Sequence, residues 1–185
     1  MPKQVITNCE NKMNNAIEAF SKSLAGIRTG KANPAILNTV QVSYYGMMTP
    51  INQMGQIAAS DPQTITVKPY DKSILKDIEK AILTADLGLN PTSDGEVVRV
   101  HIPPLTEQTR KDLVKQVKKY GEECKVSVRN IRRDAIDQLK KLEKDSLISE
   151  DELKRHSDDV QKKTDKAIQK VESLVSDKEK SIMSI

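Results

Sequence analysis

The chain has 185 residues, enough for one ordinary domain or two small ones, and 30% of them are charged while 3% are aromatic. That balance favours long solvated helices over a thick globular core, and the net charge of +4 is too mild to establish a nucleic-acid partner by itself. No apolar run is long enough to cross a bilayer, the opening "MPKQVITNCENK" has neither the apolar core of a signal peptide nor the Arg-rich character of a transit peptide, and Cys9 and Cys124 form no CxxC or disulfide framework, so a soluble cytoplasmic protein is expected.

The first segment places apolar residues at Ile6, Cys9, Met13, Ile17, Phe20, Leu24 and Ile27. Steps of three and four throughout make one apolar stripe on a helix. The helix is expected to end near Thr29-Gly30, where Gly suits a C-cap, and Pro34 opposes its resumption. The stretch "GIRTGKANP" superficially resembles a phosphate-binding loop. Such a loop needs four residues between its glycines and a Ser or Thr after the Lys; here three residues separate Gly26 from Gly30 and Ala32 follows Lys31. It reads instead as a helix exit.

From there to Pro104 the period changes to two. "TVQVSYYG" alternates Val40, Val42 and Tyr44 with polar neighbours, as a half-buried strand should. Gly46 and Pro50 mark a turn. "QTITVKPY" alternates again. "DKSILKDIEKAILTAD" reads as a short helix with Asp71 as N-cap and Gly88 as C-cap, and Asn90-Pro91 as a turn. "EVVRVHI" is a further strand, stopped by Pro103-Pro104. The middle segment is thus a small α+β unit.

From Leu105 the helical period returns. Leu113, Val117, Tyr120, Cys124, Val128, Ile131, Ala135, Leu139 and Leu142 follow one another at a mean step of a straight α-helix, and residues 105–145 would run roughly 60 Å. Ser149 and Glu152 have capping-box spacing at the start of a third helix, whose stripe includes Leu153, Val160, Ala167, Val171 and Leu174. Three amphipathic helices bury their stripes most economically on one another. The expectation is an α+β protein: an elongated three-helix bundle formed by residues 1–29 and 105–185, with residues 30–104 inserted as a small, β-rich α/β domain. The two connections, at Thr29-Gly30 and Pro103-Pro104, would form a two-stranded hinge.

Catalytic constellations are missing from the sequence: no HExxH, GxSxG or GxGxxG occurs. His101 and His156 stand alone, Cys9 and Cys124 lie on apolar stripes as small hydrophobes, and the acidic residues are scattered as solvated helix faces would have them. No enzyme, cofactor or metal is implied. The charge distribution is more informative. Residues 105–145 carry 12 basic and 8 acidic side chains, a net +4 equal to that of the whole chain. Wrapped at about 100° per residue, Arg110, Lys118, Lys125, Arg129 and Arg132 share an arc of about 100° that also holds Val114 and Gly121. Arg129, Arg132 and Arg133 fall within five residues. A solvated basic face would account for such an arc, leaving the bundle as a protein–protein scaffold. The Arg forks, which suit phosphates and base edges, favour a polyanion. With so few aromatics to stack on bases, a folded RNA or duplex backbone fits better than a single strand.

The blocks "IRTGKANPAIL", "VSYYGMMTPINQ", "ADLGLNP", "PPLTEQTRKDL" and "VSVRNIRRDA", in this order, closely resemble the ribosome recycling factor family, and the layout agrees over the whole chain. The resemblance implies an L-shaped, tRNA-like monomer with a flexible hinge. It also implies a partner set: the post-termination 70S ribosome, large-subunit ribosomal RNA touched by arginines of the long helix at positions matching Arg110, Arg129 and Arg132, and elongation factor G, which the inserted domain faces. Together with that factor and GTP, such proteins split the subunits without a catalytic site of their own. Lys118, Lys125 and Arg133 join the candidate RNA contacts from the basic arc and the Arg cluster. This chain departs from the family at Gln108-Thr109, where an acidic residue and an Arg are usual, at Lys31, which replaces a common Arg, and at Met47-Met48.

Overall fold

The computed structural model describes residues 2–184. It divides into two compact units, one built by the chain up to Ile27 together with the chain from Glu107 onward, the other by Arg28–Thr106. The first unit holds three long helices, α1 (Pro2–Ala25), α4 (Glu107–Lys144) and α5 (Glu150–Met183). The second holds β1 (Gln41–Tyr44), β2 (Met47–Pro50), the short α2 (Ile51–Met54), β3 (Gly55–Asp61), β4 (Thr64–Pro69), α3 (Leu75–Thr84), β5 (Asn90–Ser93) and β6 (Val98–His101).

The stripes meet as their spacing requires. Cys9, Met13, Ile17, Phe20, Leu24 and Ile27 pack with Val117, Cys124, Val128, Ala135 and Leu139 of α4 and with Val160, Ala167, Val171 and Ile182 of α5 in one continuous core. Each fully buried Val or Leu in such a core contributes about 1.5–3 kcal/mol. The α4–α5 connection is set by local chemistry at both ends. Ser146 takes a left-handed φ of 56° after α4, and Leu147 N donates to Leu142 O at 2.9 Å, a Schellman-type closure. Ser149 then opens α5 with a complete capping box: Glu152 N donates to Ser149 Oγ, and Ser149 N donates to the Glu152 carboxylate at 2.9 Å. Donation from Ser149 N and Ser149 Oγ to the carboxylate holds the Glu152 carboxyl below its ordinary pKa.

The second unit has a separate core. Its larger sheet is antiparallel in the order β3-β4-β6-β5. Ile65 lies opposite Val100 and Val67 opposite Val98, all four fully buried. The buried face of α3, Leu75, Ile78 and Ile82, packs into the same core with Val42 of β1. β1 and β2 pair as a separate hairpin whose two turn residues, Tyr45 and Gly46, both have positive φ, as a tight hairpin requires. A bulky L-residue at φ 46° costs about 1–2 kcal/mol.

Several local expectations are corrected. α1 ends at Ala25, not at Gly30: Gly26 N already closes on Lys22 O, and Gly30 uses its φ of 74° in the following loop. α3 ends at Thr84 with Asp86 at φ 51°, so Gly88 is not its C-cap, and Asp71 caps the 3-10 turn Lys72–Ile74 that precedes α3. Asn90-Pro91 opens strand β5 instead of making a turn; β5 is an edge strand, where a proline needs no ladder donor. Residues 47–50, read as part of a turn, form the return strand β2. Strand β3 gave no alternation because it is also an edge strand and most of its residues are exposed.

Candidate nucleic-acid interface

The six candidate cations all lie on α4, which the bundle core fixes along most of its length. Their surroundings differ sharply. Lys125 is 16% exposed, and its ammonium sits 3.2 Å from both the Glu122 and Glu172 carboxylates. Burial acts to lower its pKa, and the hydrogen bonds and charges of the two glutamates outweigh it, so the net shift is upward. Lys118 reaches toward Glu179 at 3.9 Å. Arg110 donates through Nη1 to the Met183 carbonyl at 3.3 Å. Arg132 donates through Nη1 to Gln161 Oε1 at 3.2 Å, while its buried Nε has no partner. Gln161 is itself oriented by Asp165, whose Oδ1 accepts from Nε2 at 2.8 Å.

All four partners across the seam belong to α5. Four of the five arc cations therefore face the α4–α5 junction, although Lys118 there is still largely exposed. Arg132 is half-buried. Gly121, in the middle of the arc, is buried; a Cβ there would lie 2.6 Å from Val175 Cγ2. The helical wheel placed the cations on one side correctly, but it carries no information on which neighbour lies against that side.

Arg129 and Arg133 stand apart. Among the described residues neither has a hydrogen-bond or ion-pair partner. Arg129 is half-buried and Arg133 exposed, and residues four apart are neighbours on a helix face. Two adjacent unpaired guanidinium groups repel modestly in the free protein and offer two forks to a phosphate or base edge. Sequence reasoning named them but could not separate them from the seam cations. The missing signal was the α5 set of Gln161, Glu172 and Glu179. Each pairs with an α4 cation nearly as far from the 145–149 turn as itself, as antiparallel helices dictate.

The remaining candidates carry no chemistry. Cys9 and Cys124 are buried and desolvation pushes both thiols up, away from thiolate reactivity. His101 is exposed at the end of β6, and His156 is half-buried with its Nδ1 unpartnered. Among the described residues no group of three His, Cys, Asp or Glu side chains could hold a metal ion, and no helix is long and apolar enough to cross a membrane.

The residues named for the hinge lie just inside the second unit. Thr29 and Gly30 are half-buried, Pro103 and Pro104 exposed. A Cβ on Gly30 would meet Leu105 Cγ at 3.1 Å. Beyond them both connections are tied to the same β3–β4 turn: Ala32 N donates to Pro62 O at 2.8 Å and Ile102 N to Gln63 O at 2.7 Å.

Residues 20–183 match the family model described as Ribosome recycling factor. The ribosome-recycling factors of Geobacillus sp. (strain WCH70) and Bacillus subtilis (strain 168) are each 54% identical to this chain over 185 residues, and that of Clostridium novyi (strain NT) is 50% identical, with all of each chain covered. Among solved structures, a solution structure of a ribosome recycling factor superposes with a TM-score of 0.84 at 40% identity, covering 100% of this chain and 98% of its own. A second, the T. thermophilus ribosome recycling factor with the E. coli elongation factor G bound to the E. coli post-termination complex, gives a TM-score of 0.68 at 46% identity with both chains fully covered.

The division of the arc leads to an expected outcome for stability. Lys125→Ala leaves Glu122 and Glu172 without their shared cation and should lower the thermal midpoint of the protein, followed by circular dichroism. Arg133→Ala, which removes no partner, should leave the midpoint unchanged or slightly raised. Equal midpoints for the two variants would contradict the assignment of Lys125 to the seam.

Proposed function

This chain belongs to the ribosome recycling factor family, and we propose that it binds the post-termination ribosome and, with elongation factor G, promotes its disassembly, releasing subunits, mRNA and tRNA for a new round of translation. The observation that carries this reading is full-length identity of 54% to ribosome-recycling factors. For a relative of 46% identity there are structural models, together with elongation factor G, bound to a post-termination complex. The family consists of non-catalytic translation factors, and the free energy for splitting comes from the GTPase partner. The site of action is the bacterial-type cytoplasm.

Within that reading the α4 cations contact large-subunit ribosomal RNA. Arg129 and Arg133 make the direct contacts, because their forks are not engaged within the protein. Arg110, Lys118, Lys125 and Arg132 form a positive rim beside α5, in which Lys125, held by Glu122 and Glu172, is the most committed. Residues 28–106 are the moving part and the helical bundle is the part that stays on RNA. Thr29, Gly30, Pro103 and Pro104 form the hinge: Gly30 supplies backbone freedom, and the two prolines limit extension of the other strand.

Two measurements test these assignments, with subunit splitting followed by light scattering in the presence of elongation factor G and GTP. Arg129→Ala with Arg133→Ala should keep full helix content, weaken large-subunit binding and lower its salt slope by about two units. Unchanged affinity would mean the two forks face solvent in the complex. Gly30→Val introduces a β-branched residue at φ 74° against Leu105. It should leave subunit binding intact and slow splitting, whereas splitting at the unaltered rate would remove Gly30 from the hinge.

A further inference from the structure

Lys178 stands where the bundle would be served by an apolar residue. Turned at about 100° per residue, Leu153, Val160, Thr164, Ala167, Val171, Lys178 and Ile182 share an arc of about 60° on α5. Val160, Thr164, Ala167, Val171 and Ile182 are buried, and the apolar ones belong to the core shared with α1 and α4. Thr164 satisfies its hydroxyl by donating to the Val160 carbonyl at 2.8 Å. Lys178 is the only charged residue of α5 in this arc, and it lies one turn from the fully buried Ile182.

It also lacks the anion that a lysine so placed usually acquires. Its neighbours one turn away on the helix are Leu174, Val175, Ser181 and Ile182, none of them acidic. Lys125 and Lys163, the other half-buried lysines of the bundle, are both held by glutamates. Lys178 is half-buried too, yet among the described residues it has no hydrogen-bond or ion-pair partner. Burial alone acts on its pKa and lowers it, whereas the glutamates around Lys125 reverse the same effect. A half-buried ammonium without a counter-charge costs stability that the neutral amine does not. The side chain's remaining exposure keeps the amine within reach of a small reagent.

We propose that Lys178 is an acylation site, taking its acyl group from a small acyl phosphate, and that its acylation strengthens the bundle. The lone pair of the neutral amine attacks the carbonyl carbon. A C–N bond forms, the bond from that carbon to the phosphate oxygen breaks, orthophosphate leaves with the electron pair, and the amine proton passes to water. Nothing is oxidised or reduced. Two features favour this lysine over the exposed ones. More of it is neutral near physiological pH than of an ordinary lysine, and the neutral amine is the nucleophile. The product is an uncharged amide, so the reaction removes a charge for which the position has no counterpart. Partial burial limits the reagent to a small one. Lys166 and Lys180, exposed on other faces of α5, serve as internal references. The inference is independent of the function proposed above.

The test treats the full chain with a limiting amount of acetyl phosphate and follows each lysine by peptide mapping. At about pH 7.5 Lys178 should be acetylated several-fold faster than Lys166 and Lys180, and the preference should shrink toward parity at about pH 10.5, where exposed amines also lose their protons. In urea, with the helix unfolded, the preference should vanish. Reaction of Lys178 no faster than the two references in the folded protein, or a preference that survives urea, would overturn the proposal. Thermal midpoints test the effect on the bundle. The treated unaltered chain should melt several degrees above the untreated one, and Lys178→Arg, treated identically, should show no such rise. Lys178→Met, which completes the apolar arc, should melt higher without treatment. A midpoint that is unchanged or lowered by acetylation of Lys178 would overturn the claim that the modification strengthens the bundle.

Discussion

Each of the three long helices carries an apolar stripe that only the other two can cover. That mutual dependence fixes the chain's organisation. α1 is separated from α4 by the whole of Arg28–Thr106, so the chain must leave the bundle after α1 and come back to it before α4. The intervening segment then has to satisfy its own apolar residues, and it does so with the Ile65, Val67, Val98 and Val100 layer under α3. Polar contacts between the helices fit around this arrangement. Glu10 and Lys163 join α1 to α5 at 2.6 Å, and Cys124 Sγ donates to the Ala16 carbonyl at 3.8 Å. Partly exposed pairs of this kind add little stability; they fix rotation and register of helices whose apolar stripes already hold them together.

The same packing divides the charges of α4 into two classes. Cations on the flank toward α5 are engaged by Gln161, Glu172, Glu179 and the Met183 carbonyl. Arg129 and Arg133, rotated beyond the seam, are not. The close approach at Gly121, where Val175 fills the space of a side chain, is what brings α5 near enough for these pairings. A basic helix thus becomes a surface with a few committed cations and a few available ones. In the other unit the segment Ala32–Ser60 has no charge at all. The two units therefore differ in surface chemistry: unengaged guanidinium groups on α4 in one, a neutral, exposed hairpin tip in the other.

The parts legible in the sequence were those whose physics is local or periodic. The stripes of α1, α4 and α5 could be read because every third or fourth residue meets the core, and the Ser149–Glu152 box because both partners lie within one turn. β1, β4 and β6 alternate because one face of each is buried. The edge strands β3 and β5 were not legible: the first is exposed over most of its length, and the second opens on a proline that reads locally as a turn. Helix ends were misplaced where Gly was preferred as the cap, since α1 stops at Ala25 and α3 uses Asp86 beyond its end. The cation arc was located correctly on α4 from spacing, but its division between seam and free forks depends on α5, some thirty to seventy residues away, and no local pattern carries that.

The inserted unit contributes no residue to the core that the three helices share, so the helices are expected to fold without it. Replacing residues 28–106 by a short Gly/Ser linker and following thermal unfolding by circular dichroism and calorimetry together tests this most directly. The expected product is a helical protein that melts in one cooperative transition, with coincident curves from the two methods. A helical product with no calorimetric transition, or one that binds hydrophobic dyes as a molten globule does, would contradict it.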